Sequence, residues 1–109
     1  MIVSRSPDPV DVFDILRDRA FQWDAIGREL RVPYGYREEL RIEGVMTSPE
    51  NKLERVLMKW VELECSDVTW STVLKVLKVL QFNELIESTK LFLKREDILT
   101  KYFTPYSFQ

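Results

Sequence analysis

An all-helical single domain is the fold class this sequence predicts, and three observations carry it. Apolar residues recur at helical intervals through most of the chain. Several of these stretches open on clear helix-start signals, such as Asp8-Pro9 and Ser48-Pro49-Glu50. Three glycines and five prolines in 109 residues leave little room for the tight turns of a β-rich chain. With 45% hydrophobic and 31% charged residues, the chain can bury a core and also cover it.

The elements follow in order. Residues 1–7 read as a frayed lead-in. Asp8 can cap a first helix because its carboxylate accepts an otherwise orphaned amide, and Pro9 is tolerated at the first helical position. Val12, Phe13, Leu16 and Ala20 form its apolar face. A second helix runs from Trp23 to about Leu30, burying Trp23, Ile26, Gly27 and Leu30, with Pro33 and Gly35 closing it. A short third segment, Tyr36 to Glu43, has Tyr36, Leu40 and Ile42 as inward candidates, and Gly44 stops it. The fourth helix starts at Ser48-Pro49-Glu50 and carries Leu53, Val56, Leu57, Trp60 and Leu63 on one side. Thr69-Trp70 opens a fifth. Its valines would suit a strand, but Trp70, Val73, Leu74, Leu77 and Leu80 keep helical spacing. Phe82-Asn83 marks a turn and cap before Leu85, Ile86, Thr89, Phe92 and Leu93. Ile98, Leu99, Tyr102 and Phe103 continue that spacing, so the last helix is expected to lengthen or be followed by a short one.

Composition excludes much chemistry. The chain has no histidine, which removes Ser-His-Asp and Cys-His catalysis and histidine metal sites. Its one cysteine, Cys65, can form no internal disulfide, and its place near a helix C-terminus disfavours the thiolate. Carboxylate pairs such as Glu38-Glu39 or Glu62 with Glu64 read as solvated faces. Sixteen basic against eighteen acidic residues give a net charge of −2, which argues against a nucleic-acid partner. The longest apolar runs are three residues, against the ~20 that span a bilayer, so no membrane insertion and no secretory leader are expected. No catalytic centre and no cofactor are implied.

The tryptophans carry a resemblance. Trp23-Asp24-Ala25-Ile26-Gly27-Arg28-Glu29-Leu30, Leu57-Met58-Lys59-Trp60, Thr69-Trp70 with Val73-Leu74 and Leu77, and Asn83-Glu84-Leu85-Ile86 follow one another as in a death domain. The match covers roughly residues 10–95. Arg31 stands where many members have glycine, and Ile86 replaces the usual small alanine. The resemblance implies a six-helix antiparallel Greek-key bundle over residues 9–95, with residues 96–109 as a C-terminal extension. It implies a non-catalytic module that docks other death domains, its own copies or heterotypic partners. Such modules assemble apoptotic or innate-immune signalling complexes in the cytoplasm or on the intracellular part of a receptor. Two other classes compete: a helical docking domain of a larger enzyme or receptor, and a small helical nucleic-acid binder.

Within the resemblance, contact residues can be named. Glu62, Glu64 and Asp67 form an acidic group at the end of the fourth helix. Lys75 and Lys78 point outward from the fifth, expected on a different part of the surface. Opposite charges on separate patches favour head-to-tail stacking over a two-fold contact, with weak, salt-sensitive association. Arg37 and Arg41 of the third helix are the next candidates. Of Tyr34 and Tyr36, one is expected to anchor the third helix and the other to lie exposed.

Overall fold

The computed structural model describes residues 6–43, 47–64 and 67–103, with side chains through Glu96. Six α-helices form among these residues: α1 (Pro9–Leu16), α2 (Trp23–Glu29), α3 (Tyr34–Glu43), α4 (Pro49–Leu63), α5 (Trp70–Val79) and α6 (Asn83–Phe103). A 3₁₀ segment, Arg17–Gln22, joins α1 to α2. No strand occurs among the described residues.

The start signals work as their chemistry requires. Asp8 accepts the Val10 amide at 2.9 Å, Ser48 the Asn51 amide at 3.1 Å, and Thr69 the Thr72 amide at 3.2 Å. Each satisfies a donor that the first helical turn leaves without a backbone partner. The sixth start is shifted by one residue: the Phe82 carbonyl accepts the Leu85 and Ile86 amides, so Asn83 is the first helical residue and not the cap.

Two helices stop in the same way, and neither stop uses glycine. After α2, Arg31 takes φ 65°, its amide bonds the Arg28 carbonyl at 3.1 Å, and the Val32 amide reaches back to Gly27 at 2.9 Å. After α5, Gln81 takes φ 61°, bonding Lys78 at 3.1 Å, while the Phe82 amide reaches Leu77 at 2.9 Å. Both are Schellman closures, and buried Val32 and Phe82 follow them into the core. Pro33 and Gly35 therefore do not close α2. The Pro33 carbonyl accepts the Arg37 amide and opens α3, and Gly35 lies inside that helix.

One core unites the helices. Val12, Leu16, Ile26, Leu40, Leu53, Leu57, Trp60, Val73 and Leu77 are nearly fully buried in a cluster that also takes Trp23 and Trp70. The Trp70 ring meets Phe92 of α6 at 5.4 Å between centroids. Helix α4 packs against α1, the 3₁₀ segment and α2, while α6 packs against α5 and α1. Gly27 lets α2 come close to its neighbours. A Cβ there would fall 3.0 Å from Arg37 Cδ and 3.2 Å from Val56 Cγ1. Buried Thr89 donates its hydroxyl to the Leu85 carbonyl at 2.7 Å, so it enters the core satisfied.

Several expectations need correction. The first helix stops at Leu16, because the chain passes into a 3₁₀ turn that breaks at Arg19 (φ −114°, ψ 22°), although Ala20 is still buried. Leu63 and Ile42 are exposed, since each lies at the end of its helix beyond the reach of the core. The third helix begins at Tyr34. Pro7, expected to fray, is buried beside Trp70 and Phe92. The last helix runs unbroken to Phe103. Gly44, Cys65 and the side chains of Ile98, Leu99, Tyr102 and Phe103 lie outside the described residues.

Candidate interaction surfaces

Helix α3 has little apolar surface to hold it, with Leu40 its one fully buried apolar side chain. Charge and aromatic contacts do the rest. Arg37 is buried, donating from Nη1 to Asp24 at 2.8 Å and from Nε to the Val32 carbonyl at 3.0 Å. Arg41 reaches the other Asp24 oxygen at 2.8 Å, pairs with Glu38 and stacks over Trp23. At the helix end, Arg55 of α4 binds both Glu43 oxygens. Those bonds, with one from Thr47, hold the Glu43 carboxyl below the usual carboxylate range and push the Arg55 guanidinium up. Lys59 of α4 sits 4.8 Å over the Tyr36 ring.

Arg37, expected among the contact residues, lies buried in this arrangement. Its guanidinium is turned inward, where it ties α3 to α2 and satisfies the Val32 carbonyl just past the left-handed turn at Arg31. Arg41 is half exposed and shares its charge with Asp24 and Glu38. The tyrosines divide as expected. Tyr36 packs on the core, while Tyr34 is 64% exposed. The Tyr34 hydroxyl bonds Glu38, which raises its pKa.

The acidic group at the end of α4 is solvent-facing at Glu62 and Asp67. Glu62 meets Lys59 at 3.3 Å, and Asp67 lies 3.9 Å from Arg31. Lys75 does not stand on a separate patch. It lines a hollow of about 150 Å³ together with Glu64, Asp67, Arg31 and Glu29. Lys78, exposed on α5, is not part of that lining. The structure thus gathers Glu64, Asp67 and Lys75 and leaves Lys78 apart.

Sequence reasoning missed the apolar residues that fall off the buried stripes. Val10 and Met58 are exposed beside half-buried Phe13 on the α1–α4 face. Their signal is present in the sequence as apolar residues left over when the core faces are assigned.

Among the described residues, no group of three or more metal-ligating side chains converges, and no helix is long and apolar enough to cross a membrane. Comparison with known protein families, curated proteins and solved structures finds no match to this chain.

Proposed function

We propose that the chain is a non-catalytic protein-interaction module of the death-domain type, a six-helix antiparallel Greek-key bundle. In this reading it assembles with other death domains, its own copies included, in a cytoplasmic apoptotic or innate-immune complex. The observation that carries the reading is the tryptophan set. Trp23, Trp60 and Trp70 stand in the family's order, on the second, fourth and fifth α-helices, and all three enter one core.

The surface suits weak asymmetric contact. Glu62 and Asp67 offer an exposed acidic half, and Lys78 offers a basic one outside that hollow. A two-fold contact would set each half against itself, whereas a head-to-tail contact sets it against its complement. Lys75 lies in the acidic hollow and so contributes less to the basic half. Exposed pairs contribute only ~0.2–1 kcal/mol each, so the dilute chain is mainly monomeric.

Sedimentation velocity over a range of concentrations, at low and high salt, tests the reading. Mass-average size should rise with concentration at low salt and fall back when salt is added. A chain that stays monomeric at every concentration and salt would remove self-assembly from the reading.

A further inference from the structure

The face between α1 and α4 is apolar where no other helix covers it. Val10 is 64% and Met58 61% exposed, with half-buried Phe13 beside them and Leu57 as the floor. Together they line a hollow of about 240 Å³. Val10 and Phe13 are one helical turn apart on α1, as Glu54 and Met58 are on α4. Two ridges therefore flank a furrow of the shape that accepts the ridge of a third helix.

The rim decides which kind of helix fits. Asp8 and Glu54 stand exposed at the furrow, and neither makes an ion pair among the described residues, although one Asp8 oxygen caps α1 through the Val10 amide. The neighbouring α4 cations are otherwise engaged, Arg55 with Glu43 and Lys59 with Glu62. Arg17 is held over the Phe13 ring at 5.3 Å, outside the lining of the hollow. Methionine adds adaptability, since its unbranched thioether fills irregular gaps.

We propose that this furrow docks a basic amphipathic helix of a partner protein. The partner's apolar stripe lies on Val10, Phe13 and Met58, and its lysines or arginines reach Asp8 and Glu54. A phosphate-rich surface, whether lipid or nucleic acid, meets the same carboxylates with repulsion. The furrow shares no lining residue with the acidic end of α4 or with Lys78, so its occupancy and the charge-patch contact are tested by different variants.

The probe is a capped leucine–lysine peptide of about 18 residues, long enough to form a helix, with leucine at helical intervals. Its control has the same composition in scrambled order, without an apolar stripe. Calorimetry should show the patterned peptide binding at least about tenfold tighter, and amide shifts should centre on Val10, Glu54 and Met58. Val10→Ser with Met58→Ser removes mostly exposed apolar groups and should weaken binding about tenfold while the variant still melts cooperatively near wild type. Glu54→Lys should weaken it more at low salt than at high. Phe21→Ser, at a 68% exposed residue outside the furrow, should leave binding unchanged. Equal binding of the two peptides, shifts centred elsewhere, or a double serine variant that binds like wild type overturns the proposal. So does a double serine variant that loses self-association, because the furrow would then be the contact between copies.

Discussion

Replacing Arg37 by methionine should destabilise the domain strongly, although arginine on a short polar helix invites a surface role. Methionine keeps much of the apolar stem beside Gly27 and removes the guanidinium. Two bonds are lost: Nη1 to Asp24 at 2.8 Å and Nε to the Val32 carbonyl at 3.0 Å. The carbonyl is left short of a partner in a buried place, which costs about 1–3 kcal/mol. The ion pair contributes toward the low end of its range, because Asp24 is 38% exposed and keeps Arg41. The sum is about 1–3.5 kcal/mol, against a total stability of roughly 5–15 kcal/mol. For a domain of this size the melting midpoint should fall by roughly 5–25 °C. Urea and thermal melts followed by circular dichroism measure this directly. Arg37→Lys should recover less than half the loss, because an ammonium cannot serve Asp24 and the Val32 carbonyl in the fork geometry. An Arg37→Met variant that melts with wild type yet loses association would refute the inward strut and return Arg37 to the surface.

Three further outcomes follow from the same packing. Trp70→Ala removes a buried ring from contact with Phe92 and should cost ~3–5 kcal/mol, seen as poor expression or a lost cooperative melt. Gln81→Gly relieves a left-handed residue at φ 61° and should stabilise by ~0.5–1 kcal/mol after glycine's greater freedom in the unfolded chain is subtracted, measured as a higher urea midpoint. Thr89→Val deletes a hydroxyl that bonds only its own helix at Leu85 and should be neutral to mildly stabilising, whereas a loss above ~1.5 kcal/mol would show a second buried partner.

Local chemistry was legible in the sequence, and chemistry that depends on distant neighbours was not. Asp8-Pro9, Ser48-Pro49 and Thr69-Trp70 set their helix starts from side chains within three residues, and all three caps form. The tryptophans, with Leu53, Val56 and Leu57 of α4 and Val73 and Leu77 of α5, are buried because helical periodicity alone places them on one side, while Leu63 at the end of its stripe is not. The inward position of Arg37 has no local signal. Its burial depends on Asp24, thirteen residues away, and on a carbonyl presented by the backbone after Arg31. Lys52 shows the same effect, since it is buried with its ammonium 5.4 Å over the Trp23 ring. The closures at Arg31 and Gln81 carry no glycine to announce them. Lys75 lines one hollow with Glu64 and Asp67, a grouping across two elements that the periodicity of neither encodes.

If charge on separate patches drives the proposed asymmetric assembly, complementary mixing reveals it. One variant carries Glu62→Lys and Asp67→Lys, and the other carries Lys78→Glu with Lys75 left in place. Each should melt like wild type, because the altered side chains are solvent-facing, and each alone should sediment as a monomer. In the first variant alone, the new lysine patch faces unaltered Lys78 on its own copies. Mixed at equal concentration and low salt, it meets instead the surface that the Lys78→Glu substitution has made acidic. Sedimentation velocity should therefore show a heterocomplex in the mixture that added salt dissolves. A mixture that remains two monomers while wild type associates under the same conditions would contradict the claim.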